Sequence, residues 1–149
     1  MEKGKLIRRN LTFEKEFYVK LKLMSTSFSS GWENVLHIYN QGDVHRIASI
    51  FFNANNDSKN RIHIYNDLNG NGRYMFSTPH YPLGEMLDIM IEQVKEGSQY
   101  FLQVNINQQL IHRAQNKKPR EHKNMFMYVS SPLFSPQHGY IRDLKYSAT

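Results

Sequence analysis

In the stretch FEKEFYVKLKLM, residues 13–24, apolar and polar side chains alternate. Phe13, Phe17, Val19, Leu21 and Leu23 fall on one side; Glu14, Glu16, Tyr18, Lys20 and Lys22 fall on the other, and only Lys15 breaks the order. A period of two is the period of a β-strand, and one apolar side against one polar side describes a sheet that covers a core with a single face. WENVLHIY, RIASIFFNA, RIHIYND, GRYMFST, QYFLQVNINQ, QLIHRAQN, NMFMYVSS and GYIRDLKYS read the same way or are rich in Ile, Phe and Tyr. EMLDIMIEQV could be taken for a helix, but Leu87, Ile89 and Ile91 alternate with Asp88, Met90 and Glu92, and the β-branched content favours a strand. About ten to twelve short strands are expected, separated by Gly, Asn, Ser and Pro clusters, with no helix; this is the pattern of sandwiches and barrels.

The chain has 149 residues, so one domain over 1–149 with a sizeable core is expected. No apolar run approaches the ~20 residues of a membrane-spanning helix. The segment MEKGKLIRRN lacks the apolar centre of a signal peptide, which suggests a cytosolic chain or a mature segment cut from its targeting sequence. With no cysteine, disulfides, zinc–thiolate sites and thiol nucleophiles are excluded. The net charge of +6 favours anionic partners such as sulfated polysaccharide, acidic lipid, mineral or nucleic acid.

Several pieces carry a likeness in order along the chain: KGKLI, FSSGWENVLHI, RIHIYNDLNGNGRYMF, PHYPLGEMLDIMIEQ, FLQVNINQQLIHRAQNKKPREHKNMFMYVSSPLF and GYIRDL. Together they resemble a concanavalin A-like jelly-roll module of animal extracellular proteins, similar to laminin G and pentraxin domains. The resemblance implies an all-β sandwich of two antiparallel sheets, with the strand Gly139–Tyr146 returning beside the first. It also implies an extracellular, non-catalytic recognition module for glycans, matrix components or proteins, and hence that the chain is not an enzyme.

DLNGNG, residues 67–72, opens like an EF-hand loop, but its twelfth position is Thr78 rather than a bidentate Glu, and both flanks read as strands. Asn-Gly pairs supply the positive φ of a tight hairpin, so a turn is expected. No cofactor or metal site is expected; the calcium candidates are Asp57, Asp67 and Asn69, a set short of carboxylates. The galectin signature H-x-N-x-R followed by W-x-x-E-x-R is absent, and Trp32 reads as a core or sheet-edge anchor. The seven histidines show no ligand spacing, and no G-x-S-x-G elbow occurs. Asp88 and Glu92, four residues apart on one strand, stand about 13 Å apart, too far for paired glycosidase carboxylates.

Two basic clusters stand out: Lys117, Lys118, Arg120, His122 and Lys123 in NKKPREHK, and Arg8 with Arg9 in KGKLIRR. They are the candidate polyanion-binding residues, and whether they converge is open at this level. Asn55, Asp57, Asn69 and Asn71 are the candidate polar-loop ligands for a sugar. The expected function is lectin-like binding of a glycan or matrix polysaccharide. The alternative is a self-assembling structural protein whose basic face meets an anionic polymer or mineral, with copies joined as homo-oligomers through sheet edges. Nucleic acid is a minor reading, since no aromatic-interleaved RNA motif is present.

Overall fold

A computed structural model describes residues 4–27, 31–53, 61–130, 135–136 and 139–149. The elements are β1 (Lys5–Phe13), β2 (Phe17–Ser25), β3 (Glu33–Tyr39), β4 (Ser49–Asn53), β5 (Arg61–Leu68), β6 (Asn71–His80), β7 (Leu87–Glu96), β8 (Gln99–Ile106), β9 (Gln109–Asn116), β10 (His122–Val129), β11 (Ser135–Pro136) and β12 (Gly139–Tyr146). Among the described residues the single helical element is a short 3-10 turn at Gln41–Asp43. None is a helix long and apolar enough to cross a membrane.

The strands form two sheets. One has the order β1-β10-β3-β4-β5-β6, with β11 pairing β3; the other has the order β12-β2-β7-β8-β9. All pairings are antiparallel except that of β11 with β3. The last strand returns beside the second rather than the first: β12 pairs β2, while β1 lies in the other sheet.

The alternation read from the sequence appears as burial. Val19, Leu21 and Leu23 on β2, Ile89 and Ile91 on β7, and Val104 on β8 face Ile50 and Phe52 on β4, Ile62 and Ile64 on β5, and Met125 and Met127 on β10 in one core. Each such side chain contributes about 1.5–3 kcal/mol on burial. The Lys15 irregularity has a structural cause. The run 13–24 is not one strand: Phe13 ends β1 in the first sheet, and Phe17 begins β2 in the second. Their rings meet edge to face at 5.9 Å, closing one end of the sandwich.

The DLNGNG segment is the β5–β6 hairpin turn. Asn69 has φ 53° and Gly70 φ 82°, so both central residues occupy the left-handed region that such a turn requires.

Candidate functional site

Because side chains alternate along a strand, the residues between the core positions of β3, β4, β5 and β10 point away from the core. On these strands many of them are aromatic. Tyr128 pairs opposite His37 and Phe126 opposite Tyr39; Phe51 pairs opposite His63. The rings form a continuous path on the outer side of the larger sheet, within which His37 and Phe51 are themselves buried. Tyr128 lies 6.0 Å from Tyr39, Tyr39 stacks on His37 at 3.9 Å, His37 lies 5.7 Å from Phe51, and Phe51 lies 5.4 Å from Tyr65. Trp32, just before β3, lies over the His63 ring at 4.6 Å and edge-on to Phe51 at 6.3 Å. It is 42% exposed, so of the two places expected from sequence, core or sheet edge, the core is excluded and Trp32 is a surface ring.

The β3–β4 loop folds back onto the same face. Asn40 Oδ1 accepts hydrogen bonds from the amides of Val44 and His45 (3.1 and 2.8 Å), and Arg46 N donates to Gly72 O at 2.8 Å. The approach is close: a Cβ on Gly72 would stand 2.4 Å from Val44 O and from His45 Nδ1. The fold-back places the Arg46 guanidinium 5.1 Å from the Phe51 ring centre and 4.5 Å from that of Tyr65. Asp43 holds it there, accepting from Arg46 Nε at 2.9 Å and Nη2 at 2.7 Å and standing 3.0 Å from His37 Nε2. Burial alone would raise the Asp43 carboxyl, but hydrogen bonds from His37 and Arg46, with their charges, hold it well below the usual carboxylate range. Burial lowers His37 despite its bond to Asp43, so the imidazole is neutral near pH 7 and donates through Nε2.

Polar groups border the rings. His63 Nδ1 is 2.8 Å from Ser77 Oγ, and Arg61 Nε donates to His80 Nε2 at 2.8 Å. Burial, then the Arg61 charge, lowers His63. At the β10 end, a cleft of about 440 Å³ is lined by Asn10, Asn40, Gln41, Lys123, Asn124 and Phe126, and the Phe126 ring is 5.9 Å from Tyr39. Amides beside aromatic rings suit a polyhydroxylated ligand: ring faces cover the C–H surfaces of a sugar while amides exchange hydrogen bonds with its hydroxyls.

The residues singled out from sequence take other places. Asp67, a calcium candidate, is 1% exposed and belongs to a buried ion cluster. Arg120 Nε and Nη2 donate to its two oxygens at 2.9 and 2.8 Å, and His122 Nε2 lies 3.2 Å from Oδ2. Burial would raise this carboxyl too, but the bonds from Arg120 and His122 outweigh burial and hold it well below the usual range. A calcium ion at Asp67 would have to displace the guanidinium, so this residue does not fit the metal. Burial first, then the Arg120 charge, lowers His45, and Arg120 Nη2 lies 3.0 Å from its Nδ1.

Asn69 Oδ1 accepts from Lys117 N at 2.6 Å, and Asn71 Oδ1 from Arg73 N at 3.0 Å, so both polar-loop candidates brace the turn. Asn55 and Asp57 lie outside the described residues. The two basic clusters approach only at their edges, where Asn10, next to Arg9, and Lys123 line one cleft. Arg8 pairs opposite Met127, whereas Phe13 pairs opposite His122, a separation of about 17 Å along β10. Within the second cluster, Arg120 and His122 are committed to Asp67, Lys123 lines the amide cleft, and Lys117 and Lys118 are exposed. The aromatic face itself was missed. Its signal was present in the phase: the outward positions of β3, β4 and β5 carry rings where an ordinary wet face carries charges.

No protein-family model matches the sequence, and a search of curated proteins returns no match. Solved structures do match the fold. A heptameric SAP-like pentraxin from Limulus polyphemus superposes with TM-score 0.60 at 12% identity, over 97% of this chain and 72% of that one. The carbohydrate-binding module, family 40, of the Ruminococcus gnavus IT-sialidase, solved with α2,3-sialyllactose, gives TM-score 0.56 at 13% identity, over 99% and 89%. An alginate lyase of polysaccharide lyase family 7 gives 0.57 at 17% identity, over 94% and 65%. The fold is a concanavalin A-like jelly-roll sandwich.

Other alginate lyases share this sandwich, including one from Pseudomonas aeruginosa with TM-score 0.58 at 13% identity, over 90% of this chain and 65% of that one. They overturn the expectation that the chain is not an enzyme. That expectation rested on the family resemblance and on missing hydrolase motifs, and the same jelly roll carries polysaccharide lyases.

Proposed function

We propose that this jelly-roll sandwich recognises a glycan on the outer face of its larger sheet. The observation that carries the reading is Trp32, an exposed indole laid against His63, Phe51 and Tyr65 and bordered by polar side chains. The sialyllactose-bound module among its structural neighbours supports a saccharide as the ligand. Trp32 and the Tyr39–Tyr128 pair are the stacking surfaces, and Arg46 is the fixed post between Phe51 and Tyr65 that keeps the face flat.

The test is direct, because Trp32 is the single tryptophan of the chain and reports its own environment by fluorescence. Titration with a panel of neutral and sialylated oligosaccharides is expected to shift that emission saturably at physiological salt. Trp32→Ala is expected to weaken the same binding about tenfold or more when measured by calorimetry, the loss of one stacking contact of about 1–3 kcal/mol. Unchanged affinity in the variant would remove this face from the reading.

A second reading, elimination on a uronate polymer, is favoured by one observation. His63 is held neutral by burial, and among the described residues its buried Nε2 has no hydrogen-bond partner, leaving a base on this face. In such a step the base takes the proton α to the uronate carboxylate, the C4–O bond breaks, and a C4–C5 double bond forms as the leaving oxygen gains a proton. Trp32 lies over His63 and must swing aside first. Alginate incubated with the protein would then gain ultraviolet absorbance from unsaturated ends, and His63→Ala would abolish it; a flat trace with the parent protein removes this reading.

A further inference from the structure

The opposite sheet carries its charge unevenly. Across the β12–β2 ladder, Arg142 lies opposite Lys22, and Lys145 lies opposite Lys20. Like charges directly opposite one another repel, so two such pairs in succession work against the ladder they sit on. A bulge at Asp143 (φ 56°) brings one carboxylate to 3.8 Å from Lys22, with both side chains in solvent, a contact that offsets little. Among the described residues, Lys20, Arg142 and Lys145 have no acidic partner within ion-pair distance. Asp88 lies opposite Lys22 on β7, yet among the described residues its Oδ1 receives no hydrogen bond.

The surface is also shaped. Two adjoining depressions share Lys20 and Asp88. One, of about 210 Å³, adds Met90, Asn105 and Gln108; the other, of about 190 Å³, adds Lys22, Asp143 and Lys145.

We propose that this stripe on β2 and β12 is a second binding surface, for a polysaccharide bearing sulfate or carboxylate groups. Cations about 5 Å apart across the ladder and about 7 Å apart along β2 match a chain of repeated anions better than a single one. Two acids and two amides beside the cations supply partners for the hydroxyls that separate the anionic groups of a polysaccharide. Among the described residues neither depression is lined by an aromatic side chain, and the exposed rings Tyr18 and Tyr140 stand at the ends of the stripe rather than between its cations, whereas surfaces for single-stranded nucleic acid stack successive bases on rings. The stripe lies on the sheet opposite the aromatic face, so it stands independently of the function proposed for that face. It also moves polyanion binding away from the NKKPREHK loop, where Asp67 already engages Arg120 and His122.

The probes are heparin, hyaluronan, neutral dextran and single-stranded DNA, titrated calorimetrically at low and physiological salt. Lys20→Gln/Arg142→Gln/Lys145→Gln removes three charges from the stripe; Lys117→Gln/Lys118→Gln/Lys123→Gln removes three from the other cluster. The stripe variant is expected to lose heparin affinity at least about tenfold and to lower the slope of log affinity against log salt by about two to three, through lost counterion release. The loop variant is expected to lose less than about threefold. Hyaluronan is expected to follow heparin, dextran not to bind, and Trp32→Ala to leave heparin binding unchanged. Single Lys145→Gln serves as the mild substitution and is expected to melt at or above the parent temperature at low salt, since it relieves repulsion. Equal losses in the two triple variants, no loss in the stripe variant, or DNA bound as tightly as heparin would each overturn the proposal.

Discussion

Replacing Asp43 by Asn tests whether the aromatic face depends on one carboxylate. In the parent chain the Arg46 side chain is 3% exposed and Asp43 17%, so the pair is nearly dry. Asp43→Asn keeps the volume, deletes the charge and turns one acceptor into a donor facing a guanidinium N–H. Breaking a buried pair by removing one partner costs about 3–5 kcal/mol, because the other charge stays buried without its counter-ion. Two effects reduce that here: water reaches Asp43 in part, and Arg46 keeps its cation–π contacts with Phe51 and Tyr65. A loss of about 2–4 kcal/mol remains, which for a chain of this size lowers the melting temperature by about 4–16 °C. Calorimetric melting at pH 7 reads it. The companion variant Asp43→Asn/Arg46→Met removes both charges and restores apolar packing between the rings, and it is expected to recover most of the loss. If Asp43→Asn melts within a degree or two of the parent, or if the double variant is no better than the single one, the buried-pair reasoning is wrong.

The remaining predictions are briefer. Stability is expected to fall in two stages as pH drops. His37 and His63 have lowered pKa values in the folded chain, so the unfolded chain takes up protons first, and stability declines from about pH 6.5 downward. Asp43 and Asp67 are also lowered; the stability they contribute is full above the unfolded carboxylate value of about 4 and is lost as pH falls below it. Urea unfolding from pH 8 to pH 2 checks both stages, and a flat profile below pH 4 would contradict the second. Gly72→Ala drives a methyl into Val44 O and His45 Nδ1, so it is expected to cost about 1–3 kcal/mol by displacing the β3–β4 loop, again read by melting. An unshifted melt would mean the loop gives way freely.

The strands were legible because their signal is local. Burial of Val19, Leu21 and Leu23 against exposure of Lys20 needs only the geometry of one strand, and the two-sided sandwich follows from many such strands without a helix to cover them. The Asn69–Gly70 turn was legible for the same reason, since positive φ is demanded within two residues. The functional surfaces were not, because register assembles them. Trp32 meets His63 across 31 positions of sequence, and Asp67 meets Arg120 across 53. No spacing rule links such pairs until the strand order is known. Composition then misleads in a definite direction: a run such as NKKPREHK announces charge without showing that two of its five basic residues are spent on a buried acid. The stripe of Lys20, Lys22, Arg142 and Lys145 announces nothing, because its members lie on strands at opposite ends of the chain. In a sheet protein, therefore, the cations free to bind are found by asking which ones face each other across a ladder without an acid between them, and a local count of charge cannot ask that.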